Sequence, residues 1–166
     1  MHKIGIVSDT HGLMRPEFAS VFAGVDLIIH AGDIGGLPVM TALKKIAPLT
    51  AVYGNTDKSS WAKDLSATEV VSIGNVNIYV LHNLADLDID PSAAGFAAVI
   101  YGHTHQQMQE TRGGVLYFNP GSAGPRRYSL PASVGILTIE NSNISGEIIT
   151  LPEEEPARYY KGNIET

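Results

Sequence analysis

An α/β (α+β) fold is predicted for this 166-residue chain by three features of its sequence. Short apolar runs of strand character alternate with helical or loop segments. Five of these runs end in a polar cluster: Asp9-Thr10-His11, Gly32-Asp33, Gly54-Asn55-Thr56-Asp57, His82-Asn83 and Gly102-His103-Thr104-His105. Glycines 32, 54 and 102 stand beside three of the clusters, where they would let the backbone turn sharply and come close to a ligand. Ligands of α/β sheets gather at the carboxyl ends of strands. Five strand ends can therefore present their donors to one point although they lie far apart in the chain.

Taken in order, Ile4–Ser8 reads as a buried strand ending at Asp9. Pro16–Ala23 reads as a short helix, with Pro16 at its start, where a missing N–H costs least. Leu27–Ala31 is a second buried strand. Val39, Leu43 and Ile46 recur at helical spacing over Leu37–Ala47, with Lys44 and Lys45 on the outer side. Leu49–Tyr53, Val76–Leu81, Ala98–Tyr101 and Val115–Phe118 continue the strand series, the last running into Asn119-Pro120-Gly121-Ser122. Val134–Ile139 and Ile144–Leu151 flank Asn141-Ser142-Asn143 and form a candidate hairpin. Gly24 and Gly113-Gly114 read as turns. The tail from Glu153 is acidic at its start, and its Tyr159-Tyr160 pair reads as packing or a homo-oligomer contact. No repeat or linker divides the chain, so one domain over 1–166 is expected, long enough to bury roughly 70% of its unfolded surface.

Composition is that of a globular protein, 44% apolar and 17% charged, which excludes a disordered chain. The net charge of −6 argues against an extended nucleic-acid footprint, which needs clustered Lys and Arg. The longest apolar stretch, Val25–Ala31, contains Asp26 and His30 and is far too short to span a bilayer, so no membrane is expected as partner. Met1-His2-Lys3 runs directly into a strand without a signal-peptide pattern, and cytoplasm is the default location. The absence of cysteine removes thiolate from the list of metal ligands.

The clusters supply seven nitrogen and oxygen donors: Asp9, His11, Asp33, Asn55, His82, His103 and His105. Imidazole and carboxylate without thiolate suit Mn, Fe, Ni, Co or Zn in an open hydrolytic site better than a closed structural zinc. Seven donors exceed the three or four that one catalytic metal takes. With one carboxylate bridging, they suit two metals ~3.5–4 Å apart. Other polar residues have plainer readings. His30 packs near the site with a hydrogen bond to its surroundings, His2 lies at the surface, and Asp57 braces its loop. Asp86, Asp88 and Asp90 lack the glycine and distal glutamate of a calcium loop and read as solvated.

In order and spacing the clusters resemble the signature of the calcineurin-like metallophosphoesterases: D-x-H, G-D, G-N-x-D/E, a lone His after a strand, and G-H-x-H. The likeness covers roughly residues 1–125, includes the Asn119–Ser122 turn, and is nearest the compact single-domain phosphodiesterases of the YfcE type. It implies a four-layer sandwich of two mixed β-sheets flanked by helices. It implies one divalent metal on Asp9, His11, Asp33 and His105, a second on Asp33, Asn55, His82 and His103, and Asp33 as the bridge. Manganese is the metal expected, with Ni, Fe, Co and Zn as alternatives. Asp9, Asp33, Asn55, His82 and His103 would then act catalytically through a hydroxide held between the metals, with Asn55, Arg126 and Arg127 contacting substrate. The implied reaction is hydrolysis of a small phosphodiester, a nucleotide among the candidates.

Two positions depart from the family pattern. Larger relatives place His after the Asn of G-N-x-D/E, where it protonates the leaving group; Thr56 stands there, as compact members also often lack that His. This disfavours a phosphomonoesterase. Asn83 follows His82 where Gly is usual, and Asn tolerates the left-handed backbone that such a turn would need. A retromer subunit of the same fold serves in protein assembly with its ligands partly replaced. All seven stand here, which favours the enzyme over a binding scaffold.

Overall fold

The computed structural model describes residues 1–127 and 129–152, and each strand expected from the sequence is present in it. Tyr159-Tyr160 lie outside the described residues. Five strands, β1 (His2–Val7), β2 (Leu27–His30), β3 (Leu49–Ala51), β9 (Ser133–Glu140) and β10 (Asn143–Thr150), form one sheet in the order β10-β9-β1-β2-β3. β1, β2 and β3 run parallel, while β9 and β10 add an antiparallel hairpin on the other side of β1. The second sheet contains β4 (Thr68–Ile73), β5 (Val76–Leu81), β6 (Ala98–Ile100), β7 (Gln107–Arg112) and β8 (Val115–Pro120), in the order β4-β5-β6-β8-β7. Its centre, β5, β6 and β8, is parallel, and each edge strand is antiparallel to its neighbour.

The two mixed sheets pack face to face. Ile4, Ile6, Ile29 and Leu137 from the first meet Val71, Ile78, Ile100 and Phe118 from the second, all buried. α1 (Glu17–Val21) and α2 (Leu37–Lys44) cover the outer face of the first sheet through Phe18, Phe22, Val39 and Leu43. The Phe22 ring lies directly on Gly5 of β1, where any side chain would collide with it. The outer face of the second sheet carries no α-helix among the described residues. Leu84 and Leu87, in and just after a 3₁₀ turn (Leu84–Asp86), pack there on Leu81, Val99, Tyr101 and Val115.

Two strands escape a sequence reading. β4 presents Val71 and Ile73 inward, but its run is short and half polar. β7, Gln-Met-Gln-Glu-Thr-Arg, is exposed at every position and carries no periodic signal. It is a strand because its edge position pairs it with β8 through the Gly113-Gly114 turn. Both helices are shorter than their sequence patterns: Pro16 is the N-cap of α1, and α2 stops at Lys44. Among the described residues no helix is long and apolar enough to cross a membrane.

Phe118 joins the sheets by filling a notch that glycine leaves open. Its ring stands where Cβ atoms would fall at both Gly135 of β9 and Gly146 of β10. Phe118→Ala should destabilise the protein by about 3–5 kcal/mol, as large aromatic truncations in cores do. Gly146→Ala should cost about 1–3 kcal/mol by overpacking. Urea denaturation of both variants checks this; a Gly146→Ala midpoint equal to wild type would show that the ring is free to shift.

Candidate metal centre

All seven donors singled out from the sequence come together at one end of the sandwich. Asp9 and His11 follow β1, Asp33 follows β2 and Asn55 follows β3, all in the first sheet. His82 follows β5, and His103 and His105 follow β6, in the second. Backbone bonds latch the loops together: the N–H groups of Asp9, His11 and Gly12 donate to the carbonyls of Gly32, Asp33 and Ile34 at 2.8–3.0 Å. Gly102 N–H donates to the His82 carbonyl at 2.9 Å.

Five of these residues are held in the left-handed region: Asp9 (φ 56°), His11 (46°), Asp33 (54°), His103 (71°) and His105 (60°). Such angles are uncommon outside glycine, and their clustering in one place marks a functional site. The glycines divide into two kinds. Gly32 uses its freedom, with φ at 98°. Gly54 and Gly102 do not have positive φ, contrary to the expectation of sharp turns there. They lack a side chain because none fits: a Cβ at Gly54 would collide with the Asp33 carboxylate, and one at Gly102 with the Ser8 hydroxyl and the Asp9 carboxylate. Asn83 is likewise extended (φ −113°, ψ 118°), and its side-chain oxygen accepts the Ala85 N–H to cap the following 3₁₀ turn.

Each buried carboxylate divides its two oxygens. Asp9 Oδ2 accepts from Ser8 Oγ at 2.6 Å and from His103 N–H at 3.1 Å. Asp9 Oδ1 is buried without any hydrogen-bond donor and faces His105 Nε2 at 3.3 Å and the Nε2 atoms of His11 and His82 at 3.9 Å. Asp33 Oδ1 accepts the Thr56 N–H at 2.9 Å, while Oδ2 faces His82 Nε2 at 3.3 Å and His11 Nε2 at 3.8 Å. The Asn55 side-chain oxygen lies 3.0 Å from His82 Nε2 and 3.1 Å from His103 Nδ1. The donors thus fall into two groups, Asp9 with His11 and His105, and Asp9 with Asp33 and His82, the second adjoined by Asn55 and His103. Asp9 is common to both groups, and Asp33 Oδ2 also approaches His11 of the first at 3.8 Å.

This arrangement asks for positive charge. His82 Nδ1 lies 2.7 Å from the Ala31 carbonyl, so the ring proton belongs there and Nε2 turns a lone pair toward Asn55 and Asp33. Without a cation or a second ring proton, acceptor would face acceptor. The titration of the cluster reflects the same demand. Burial would lower the pKa of His82, but Asp33, Asp9 and the Ala31 carbonyl raise it above its ordinary value. Burial would raise Asp33 and Asp9, but His82 and the Thr56 N–H hold Asp33 far below the ordinary range, and His105, Ser8 and His82 lower Asp9. A proton on an imidazole can supply that charge, and so can a divalent cation. The nitrogen and oxygen donors, one bare buried carboxylate oxygen among them, fit the cation.

Braces surround the donors. His30 is fully buried, which pushes its pKa down to about 3 and keeps it neutral. Its Nδ1 accepts the Gly32 N–H, and its Nε2–H donates to Thr10 Oγ1, whose own proton goes to the Ile34 carbonyl. Asp57 accepts three backbone N–H groups, from Ile34, Gly35 and Gly54 at 3.0–3.1 Å, tying the Asp33 loop to the Asn55 loop. Ser8, Thr10, Asn119 and Ser122 carry no mark of a functional role in their sequence context. Asn119 donates to the Gly102 carbonyl and Thr104 hydroxyl, and Ser122 donates to the Asp9 carbonyl. Their only signal in the sequence is adjacency to a ligand or to the Asn119–Ser122 turn. Arg126 and Arg127 border a small recess beside His105, and Arg127 adds its charge to burial in lowering the His11 pKa. Arg15 fixes the approach to that recess by donating to the Ala123 and Gly124 carbonyls.

Two mixed sheets that bring histidine and carboxylate donors together at one end make a candidate metal centre of the kind metallohydrolases use. The calcineurin-like phosphoesterase superfamily domain matches residues 2–142, and the chain belongs to that family of hydrolases. It is 30% identical over 161 residues to a probable metallophosphoesterase of Methanothermobacter thermautotrophicus, covering 88% of this chain and 91% of that protein. It is also 30% identical over 157 residues to phosphodiesterase MJ0936 of Methanocaldococcus jannaschii, covering 83% and 93%. Among solved structures, Vps29 of Chaetomium thermophilum superposes with a TM-score of 0.72 over 92% of this chain and 100% of its own; at 18% identity that likeness is one of fold.

The Asp57 clamp carries a prediction. Asp57→Asn keeps one acceptor oxygen and turns an amide toward a backbone N–H, so it should cost about 1–3 kcal/mol. Mn²⁺ affinity should fall with it, because the Asp33 and Asn55 loops lose their tie. Denaturation in chelator and metal titration of the same variant measure the two effects; wild-type values for both would show that Asp57 is not the clamp.

Proposed function

We propose that this chain is a metal-dependent phosphodiesterase acting on a small phosphodiester, with two divalent cations, manganese first, held by the seven donors. The observation that carries this reading is the buried Oδ1 of Asp9, which has no hydrogen-bond partner and faces three imidazole Nε2 atoms at 3.3–3.9 Å. In this reading Asp9, His11, Asp33 and His105 hold one cation, and Asp33, Asn55, His82 and His103 the other. The family resemblance makes Asp33 the bridge, which its Oδ2 supports by facing both His11 and His82 while Oδ1 accepts the Thr56 N–H. Bound there, the cations would lower the pKa of a water and hold the phosphoryl oxygens.

The chain's own groups do the rest. Asn55 contributes a neutral amide oxygen that adds no charge to the cluster. Arg126 and Arg127, which line a recess with His105, would in this reading pair with phosphate oxygens. Thr56 is exposed and has no acidic proton near neutral pH, so the departing oxygen leaves without a positioned acid. That favours diesters with good leaving groups over monoesters. The phosphodiesterase named among the relatives supports the same substrate class. The net charge of −6 speaks for a small ester rather than an extended nucleic acid.

The test is turnover of bis(p-nitrophenyl) phosphate by chelated protein before and after Mn²⁺ is restored. Activity should return with the metal; none with Mn, Ni, Co or Zn would overturn the reading. Asp33→Ala should lose both metals after dialysis, whereas Asn55→Ala should chiefly weaken one, as read by elemental analysis per chain. Two metals retained in Asp33→Ala would reject it as the bridge.

Thr56 sets the dependence on leaving group. General-acid assistance is typically worth ~10²–10⁴-fold, so its absence should make the single-turnover rate fall steeply with rising leaving-group pKa across substituted phenyl diesters. Thr56→His should flatten that slope. A flat wild-type series with no solvent-viscosity effect would mean that another residue supplies the proton.

A further inference from the structure

The surroundings of the donor cluster are unlike on its two sides. Beyond His105 lie Arg126 and Arg127. Beyond Asn55 and His82 a cavity of about 530 Å³ opens, with Tyr53, Tyr79, Asp86 and Asp88 among its walls. Its volume falls in the range of small-molecule sites. No lysine or arginine is among the described residues that line it. Because Asn55 and His82 belong to both the cavity and the donor cluster, a substituent on a phosphorus bound at the cluster has a direct path into it.

The walls have a consistent chemistry. Tyr53 is 41% exposed, so part of its ring is open to a molecule in the cavity. Tyr79 is held by an edge contact to Phe96, with centroids 5.2 Å apart at 65°. Aromatic faces are electronegative and attract cations. Asp86 and Asp88 add two carboxylates at the exposed rim. The Asn83 cap positions the turn that carries Asp86. Phosphate, carboxylate or a second nucleotide would meet repulsion here. An ammonium group would meet two tyrosines and two negative charges.

We infer that this cavity binds one alcohol substituent of the phosphodiester and selects a cationic amino alcohol, such as a quaternary ammonium ethanol, over neutral or anionic alcohols. The inference rests on the phosphodiesterase reading above and adds the substrate's charge to it. The two ends of the site then orient the substrate, its anionic centre toward the arginines and its cationic arm toward Asp86 and Asp88. A nucleoside is the competing occupant, since bases stack on aromatic rings and a carboxylate can accept from a sugar hydroxyl.

Three esters with one leaving group decide between them: p-nitrophenyl phosphocholine, its uncharged isostere p-nitrophenyl 3,3-dimethylbutyl phosphate, and p-nitrophenyl thymidine 5′-phosphate. With the Mn²⁺-loaded protein, kcat/KM for the choline ester should exceed that for the isostere by about tenfold, the scale of a cation held by aromatic and carboxylate groups, and KM should carry the difference. In Asp86→Asn/Asp88→Asn that ratio should collapse toward unity, with the melting temperature reporting on the fold. In wild type the ratio should also shrink as salt is raised, because exposed carboxylates are screened, a readout that needs no variant. Equal rates for choline ester and isostere, a preference that survives the double substitution, or the thymidine ester as best substrate would each overturn the inference while leaving the phosphodiesterase reading intact. Failure to hydrolyse bis(p-nitrophenyl) phosphate with any of the metals would instead overturn that reading, and this inference with it.

Discussion

Two buried aspartates, each with one oxygen satisfied by protein donors and the other turned toward imidazole nitrogens, set the terms for the rest of this structure. A carboxylate oxygen cannot be buried without a partner except at considerable cost. Asp9 Oδ1 has no hydrogen-bond donor, and the lone pairs of Asn55 and His82 converge beside Asp33 Oδ2. Positive charge must neutralise the cluster, supplied by an imidazole proton or by a bound cation. The loops, the glycines and the strained backbone all serve to keep those oxygens where they are.

Neither sheet could build this cluster alone. Asp9, His11, Asp33 and Asn55 come from the first sheet, and His82, His103 and His105 from the second, so the packing of the two faces sets the spacing of the donors. The dense interior around Phe118 fixes that packing. Gly54 and Gly102 then let loops close to contact with the Asp33 and Asp9 carboxylates. His30 and Asp57 complete the frame by consuming backbone N–H groups that a loop would otherwise leave unpaired in the interior. Asp57 acts through backbone N–H groups and His30 through the Gly32 N–H and the Thr10 hydroxyl.

The strained residues fit the same account. Five donors sit at positive φ, a conformation that isolated L-residues disfavour. Asp and His accept it more readily than branched or bulky residues do, so the residue types able to bind a cation are also types able to tolerate these turns. Outside the cluster the chemistry separates by direction, arginine on one side and tyrosine with aspartate on the other. Apart from Tyr79 of β5, that asymmetry lies in loops, where members of one family can differ without disturbing the donors.

The sequence by itself determined the α/β class, eight of the ten strands and the seven donors, because each donor directly follows an apolar run and needs only the local chain to be noticed. It also marked Asp57 and His30 as structural. The tertiary structure alone decided what depends on distant residues meeting. β7 carries no periodic signal and is a strand only because β8 offers it an edge. Gly54 and Gly102 looked like turn residues and are instead sites of close approach, a property of whatever packs against them. Ser8, Thr10, Asn119 and Ser122 show their part only when their hydrogen-bond partners, up to 113 positions away, are in place. The cavity beside His82 unites Tyr53, Tyr79 and Asp86 from three separate segments, a juxtaposition no local pattern encodes.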